Sequence, residues 1–481
     1  MQYKLIIKIL GLLLSLFSFS MLVPVAVALW YAEPTIVFIE SFLLTFFTGL
    51  ILYLPFLSHH RELRIRDGFL IVVLFWSVLS LFGAIPFYFH NWISLSFVDA
   101  VFESTSGLTT TGATIISNID ILPKSILYYR QQLQWLGGMG IIVLAVAVLP
   151  MLGIGGMQLY KAETPGPIKD NKLTPRITET AKALWYIYML LTITCALAYW
   201  FAGMSVFDAI SHSFSTISIG GFSTHNQSIG FYDSSLIEMI AVFFMLLSGM
   251  NFALHFTVWH KLNFKLYFND SEFKAFFVIL FIVALICFLY LFFNGKFDAS
   301  ESLTAAIFQA VSIGTTAGFT THNYAIWPGF LPILLIFASF VGGCAGSTGG
   351  GLKVIRVLLL IKQGRRELQR LIHPNAKIYV KLGGRAVGNK VMDAVWGFFA
   401  TYVAVFVLLM LMFSATGLDQ VSSFAAVAAT INNLGPGLGE VANNFRGLTD
   451  FAKWISTMSM MLGRLEIFTI LILLTPAFWR G

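Results

Sequence analysis

The chain has 481 residues, 57% hydrophobic, 15% aromatic and only 11% charged, with a formal net charge of +7. Soluble globular chains carry about 25% charged residues, and a mean hydropathy of +0.81 leaves a water-soluble fold too little polar surface to present; the same figures exclude intrinsic disorder. What remains is an all-α integral membrane protein with many spans, and Cys195, Cys287 and Cys344 lie in apolar runs that offer neither a disulfide framework nor a zinc site.

At roughly 20 apolar residues per helical span, the pattern predicts ten spans: 9–31, 36–57, 69–89, 129–151, 183–203, 235–258, 273–294, 329–360, 392–414 and 453–477. The first has a second reading, because Lys4 and Lys8 ahead of Ala26-Val27-Ala28 resemble a secretory signal with its cleavage site. Its apolar core is longer than such signals use, which favours a retained helix. Four further apolar stretches, 97–109, 207–217, 303–314 and 420–431, are too short to span and read as re-entrant or buried segments.

With the amino terminus inside, the segments 58–68, 152–182, 259–274 and 361–391 are also cytoplasmic. Those segments, both termini and the adjoining Lys353 and Arg356 hold 24 of the 30 Lys and Arg. Lys124, Arg130, Lys296, Arg446, Lys453 and Arg464 are the remaining six. This positive-inside bias places both termini in the cytoplasm and accounts for the net charge without any nucleic acid. The basic stretch from Lys362 to Lys390 either sets topology or offers a docking face for an acidic partner or anionic membrane lipid.

Each short stretch begins near an aspartate and ends in a glycine-containing polar turn. Asp99 leads to Thr110-Thr111-Gly112, Asp208 to Ile219-Gly220-Gly221, Asp298 to Thr316-Ala317-Gly318 and Asp419 to Asn433-Leu434-Gly435. The aspartate-to-glycine distances are 13, 13, 20 and 16 residues, and the glycines recur after 109, 97 and 117. Four parallel span–pore-loop–span repeats surround a central axis, preceded by two extra spans. The expected units are 1–58, 59–158, 159–262, 263–372 and 373–481. The aspartates cap the outer ends of the short helices, so four carboxyl-terminal ends aim partial negative charge at the membrane centre. Glycine then lets the chain turn back with carbonyls facing the axis, the arrangement by which potassium pores replace a hydration shell. The bland alternative is a set of packing glycines between helices; four matches on one scaffold weigh against it.

At this point the sequence resembles a known family. Ser106-Gly107-Leu108-Thr109-Thr110-Thr111-Gly112-Ala113-Thr114, Gln134-Trp135-Leu136-Gly137-Gly138-Met139-Gly140 and Ile219-Gly220-Gly221-Phe222-Ser223-Thr224 carry the resemblance. So do Gly342-Gly343-Cys344-Ala345-Gly346-Ser347-Thr348-Gly349-Gly350-Gly351-Leu352-Lys353, Asn433-Leu434-Gly435-Pro436-Gly437 and Gly463-Arg464-Leu465-Glu466. They are similar to the Trk/Ktr/HKT superfamily of potassium transporters, and the two extra spans point to its bacterial TrkH type. Ile219 departs from the threonine or similar hydroxyl expected there, which a backbone-lined filter tolerates. The resemblance implies potassium uptake, with K⁺ as the transported ion, through a filter of Thr110, Thr111, Gly112, Ile219, Gly220, Gly221, Thr316, Ala317, Gly318, Asn433, Leu434 and Gly435. It further implies a homodimer in a bacterial inner membrane and a cytosolic, nucleotide-binding RCK-type regulatory subunit. No nucleotide motif occurs in this chain, so no organic cofactor is expected in it.

Two features read as a gate. The run 329–360 is 32 residues long, about 48 Å as a helix, against a hydrocarbon core of about 30 Å. Residues 342–351, six of them glycine, should break it inside the membrane, where unpaired backbone must be buried or line water. The rival, a kinked packing helix, lacks that requirement. A phosphate-binding loop is rejected because Leu352 and Val354 flank Lys353. The resemblance implies that Gly346, Ser347, Thr348, Gly349 and Gly350 obstruct the pore below the filter. Arg464, expected in the middle of the last span, is a costly intramembrane charge that should face the pore and repel cations, with Lys353 either assisting or simply marking the inner side.

Three rivals fare worse. A proton- or sodium-coupled symporter predicts paired intramembrane carboxylates, whereas Glu103 and Glu238 look to lie toward outer ends. A membrane enzyme needs a His, Asp or Cys cluster, and the nine histidines look scattered. A tetrameric potassium channel is disfavoured because one chain already supplies four loops.

Overall fold

In hydrocarbon a backbone must satisfy its own hydrogen bonds, which helices do within one segment. The structure is a computed structural model that describes residues 1–59, 63–90, 95–140 and 177–480. The first apolar run forms α1 (Tyr3–Ser18) and α2 (Leu22–Trp30), joined by one 3-10 turn and packed on α3 (Ile36–Tyr53). Leu5, Ile9, Leu13 and Phe17 form its buried stripe. The loop after α2 is anchored where the Glu33 carboxylate accepts from the Lys124 and Ser125 amides at 2.6 and 2.9 Å.

One pattern then occurs four times: a long helix, a short helix, an extended turn and a second helix. The first unit is α4 (Ile65–Gly83) continued by α5 (Ile85–Phe89), then α6 (Phe97–Leu108) and α7 (Lys124–Gly138). The second is α8 (Ile177–Phe201), α9 (Val206–Ser218) and α10 (Ser235–Gly249), followed by α11 (Phe252–Lys261) and α12 (Lys265–Asn269). The third is α13 (Ser271–Phe293), α14 (Ala299–Gly314) and α15 (Leu331–Val341), followed by α16 (Val354–Ile372). The fourth is α17 (Asn389–Ser414), α18 (Gln420–Ile431) and α19 (Asp450–Arg464), followed by α20 (Phe468–Leu471). The second helix of one unit packs on the short helix of the next, as α7 does on α9 and α19 on α6, so the units close on themselves.

Several expected spans change form. Among the described residues six helices are long and apolar enough to cross a membrane, and two bent pairs also qualify. The run 235–258 is not straight: it turns by 92° between α10 and α11, because Asn251 leaves the helix and caps α11 by accepting from the Ala253 amide at 2.8 Å. The run 453–477 turns by 105° after Arg464, where Glu466 adopts a left-handed backbone, φ +53°. The run 329–360 breaks as expected, at Gly342. Its continuation, α16, extends well into the stretch expected to be loop. The expected span 129–151 is described only to residue 140; its remainder, most of the 152–182 segment, and the boundary at 158 lie outside the described residues. The one departure from an all-helical chain among the described residues is a two-residue ribbon, Lys381–Leu382 with Arg385–Ala386. Its turn has both Gly383 and Gly384 at positive φ, as a two-residue hairpin requires.

The short helices match their predicted ranges to within a few residues, but their caps do not all match. Asp298 and Asp419 are N-caps. In α6 and α9 the cap is Ser96 or Ser205, whose hydroxyl accepts from the amide of Asp99 or Asp208. All four carboxylates still sit at the positive helix ends. Asp99 is in addition paired with Lys453 of the fourth unit at 2.6 Å.

Candidate functional site

After each short helix the chain reverses through two left-handed residues separated by one. Thr110, Ile219, Thr316 and Asn433 have φ of +55°, +55°, +70° and +52°. Gly112, Gly221, Gly318 and Gly435, two residues on, have +78°, +80°, +77° and +97°. Left-handed non-glycine residues are uncommon, and a β-branched one such as Ile219 is a true outlier costing roughly 1–3 kcal/mol. Four copies of this alternation mean that one backbone shape has been imposed on four different sequences.

The turns meet around one centre. A Cβ placed on Gly112 would overlap the Gly220 carbonyl oxygen, one on Gly221 that of Ala317, and one on Gly318 that of Leu434. A Cβ on Gly435 would lie 2.7 Å from the Thr111 oxygen. The four seams run first to second, second to third, third to fourth and fourth back to first: a closed ring. At every seam the residue preceding one glycine presents its carbonyl to the glycine of the neighbouring unit. All four glycines also line one cavity of about 700 Å³, together with Thr114 and Ser223. The structure therefore brings together the twelve residues expected to act as one site, all of them buried except Gly112, Gly221 and Gly318, which are partly exposed to this cavity.

On the other side of the turns lies the loop 342–353. Its Gly350 amide donates to the Thr316 hydroxyl at 2.7 Å, and its Thr348 hydroxyl to the Ile217 carbonyl at 2.9 Å. A Cβ on Gly350 would overlap the Asn432 carbonyl. Second, third and fourth units are thus touched by one loop. Its edges are fastened elsewhere: the Cys344 amide donates to the Gly249 carbonyl at 2.8 Å, at the break between α10 and α11. The Glu272 carboxylate accepts from the amides of Ala345 at 2.7 Å and Ile355 at 3.1 Å. Lys353 is buried and donates to the Gly349 carbonyl of the same loop. The Ser347 hydroxyl is buried without a hydrogen-bond partner among the described residues.

Arg464 is not in the middle of a straight span. It is the last residue of α19, and its guanidinium donates to the Thr348 carbonyl at 3.0 Å and the Gly137 carbonyl at 2.7 Å, with Trp76 beneath it. The contact with Gly137 links the loop to the first unit. Glu466 does not serve Arg464; it pairs with Arg356 at 2.6 Å.

Glu103 is fully buried, paired with Arg130 at 2.8 Å and accepting from Thr114 and the Ile115 amide, so its carboxylate meets a guanidinium. One reading from sequence needs correction. The histidines are not all scattered, since His212 and His225 lie with ring centroids 6.5 Å apart beside Asp208. His212 joins the Asp208 carbonyl to the Ser223 hydroxyl. In the loop beyond, His225 is held above the usual imidazole range: burial opposes its charge, but Asp208 and Asp120 outweigh it. Among the described residues no group of three or more His, Cys, Asp or Glu is placed to hold a metal ion. Arg130 and Gln134 were not expected among the site residues. The available signal was a charge and an amide four residues apart, on one face of a helix expected to span.

The fold has known counterparts. The model of the TrkH family, described as a cation transport protein, matches residues 35–480. The chain is 59% identical over 485 residues to the Trk system potassium uptake protein TrkH of Vibrio parahaemolyticus, covering 100% of both. It is 56% identical over 482 residues to the protein of the same name from Escherichia coli K12, again covering 100% of both. The crystal structure of the potassium transporter TrkH from Vibrio parahaemolyticus superposes with a TM-score of 0.91 at 56% identity over 100% of each chain.

Proposed function

The chain belongs to the TrkH family of cation transport proteins, membrane-embedded transporters rather than enzymes, and from that premise we propose that it takes up potassium through the ring of four glycine turns. The observation that carries this reading is the closed ring, in which each unit's pre-glycine carbonyl abuts the preceding unit's glycine at one shared cavity. Carbonyl oxygens fixed by neighbouring backbone replace a hydration shell without a Cβ in the way. The short helices add the negative ends of their dipoles. The loop 342–353 and Arg464 form the gate, closing the path on the inner side. The chain divides into a two-span extension, 1–58, and four repeats, 59–158, 159–262, 263–372 and 373–481.

Rubidium-tracer uptake into proteoliposomes tests the function. Uptake that excess K⁺ competes away and Na⁺ does not is the expected result; equal competition by both would overturn it. Imposing a proton gradient in the same vesicles separates passive from coupled flux.

The reading extends to surroundings. The names of the relatives place them in a Trk system, and we place this chain in a bacterial inner membrane as a homodimer. A nucleotide-binding cytosolic subunit of RCK type meets its basic inner face. Both termini and residues 361–391 are cytoplasmic. The native cysteines are free and buried, so an introduced cysteine reports cleanly. Arg370→Cys should resist impermeant thiol reagents on intact spheroplasts while Arg446→Cys reacts. Labelling of the first would invert the topology.

A further inference from the structure

Gln134 is fully buried on α7 of the first unit, yet every polar atom of its amide is engaged by the short helix and turn of the second unit. Its Oε1 accepts from the Ser215 hydroxyl at 2.6 Å and the Phe222 amide at 3.1 Å, and its Nε2 donates to the Gly220 carbonyl at 2.6 Å. The orientation of the amide is forced, because a backbone N–H only donates and a carbonyl only accepts. One helical turn earlier, Arg130 donates to the Ser223 carbonyl at 3.2 Å and lies over the Phe222 ring. The helix thus grips consecutive residues of a neighbouring turn from behind.

Gly220 precedes Gly221 and supplies the carbonyl of its seam. The corresponding carbonyls of Thr111, Ala317 and Leu434 receive no side-chain hydrogen bond among the described residues. The second turn is also the one whose left-handed position is held by Ile219, with no polar group of its own, where the others carry Thr110, Thr316 and Asn433. We propose that Gln134 is a positioning residue for ion selectivity, which holds the Gly220 carbonyl in the ring and weakens its field on the cation. This rests on the ring acting as the filter.

A carbonyl oxygen has two lone pairs and accepts from Gln134 while facing an ion. The donated hydrogen bond draws electron density from that oxygen, so one quarter of the ring coordinates more weakly and cannot drift inward. Freed of Gln134, the carbonyl is both stronger and mobile. A stronger, smaller site favours the smaller ion, so discrimination against Na⁺ falls.

The test is the K⁺ to Na⁺ flux ratio in proteoliposomes of the full-length protein, normalised to inserted protein. Gln134→Met keeps length and burial but removes both hydrogen-bonding ends. It should lower the ratio by about threefold to tenfold, the scale of one net hydrogen bond. Gln134→Glu keeps an acceptor for Ser215 and Phe222 but loses the donor to Gly220, and should move the ratio the same way should the methionine variant insert poorly. The control is Gln132→Met, on the same helix, where a buried amide donates instead to the Ser20 carbonyl at 2.9 Å; it should leave the ratio alone. An unchanged ratio in the Gln134 variants beside a changed one in Gly112→Ser would overturn the proposal and leave the ring standing. Unchanged ratios in all of them would remove the ring and the proposal together. An equal shift in Gln132→Met would reduce Gln134 to packing.

Discussion

Arg464→Ala is expected to raise potassium flux through the unpartnered protein by roughly 10-fold to 100-fold. Among the described residues the side chain makes two charge-assisted hydrogen bonds, to Thr348 in the loop and to Gly137 in the first unit. Each such bond is worth about 1.5 kcal/mol or more, and every 1.4 kcal/mol is about tenfold in an equilibrium. If both bonds exist only with the loop in place, their loss shifts the loop away from the path by that amount. Loss of the positive charge beside a cation path acts in the same direction. Arg464→Lys separates the two contributions: it keeps the charge but cannot reach both carbonyls as the planar guanidinium does, and should give an intermediate flux. Deleting residues 346–350 should match or exceed Arg464→Ala. Parent-like flux in both, with normal insertion, would place the obstruction elsewhere.

Gly112→Ser should lower the K⁺ to Na⁺ flux ratio by about tenfold or more. Two effects combine. A side chain at φ +78° carries a conformational cost of roughly 1–2 kcal/mol, and its Cβ would overlap the Gly220 carbonyl. The carbonyl must yield, which deforms the ring at the seam Gln134 also holds. The family resemblance implies the same direction, since plant relatives that favour sodium are similar but carry serine at the first of these glycines. Gly107→Ser is the comparison. Its Cβ would lie 2.9 Å from Leu133 Cβ, within α6 and away from the ring, so it should cost about 1–3 kcal/mol in packing and reduce inserted protein. Its ion ratio should be that of the parent. A parent ratio in Gly112→Ser, or an equal change in Gly107→Ser, would mean that the ring of carbonyls is not what selects.

Much of this was legible along the chain because it is encoded locally. Apolar run length reports spans whatever surrounds them, and a glycine after a short capped helix reports a reversal. The four recurrences then require symmetry, so a ring followed from spacing, and a break within 342–351 followed from the length of its run and its glycines. Straightness did not. A run of apolar residues is equally compatible with a straight span and with the bends at Asn251 and Glu466, since hydropathy carries no direction. Arg464 shows the consequence: from sequence it is an isolated charge in hydrocarbon, and the bend that ends α19 brings it to the carbonyls of Thr348 and Gly137. Gln134, Glu103 and Glu272 follow the same logic. The partners of Gln134 are 81 to 88 residues away, those of Glu272 73 and 83, and the guanidinium that meets Glu103 is 27 away; a buried polar side chain reveals its role only once tertiary packing has chosen which distant group it satisfies. Composition and period determined the membrane, the fourfold plan and the glycines of the ring; folding alone decided which side chains hold that ring and its inner loop in place, because hydrogen bonds between units have no periodic trace in the sequence.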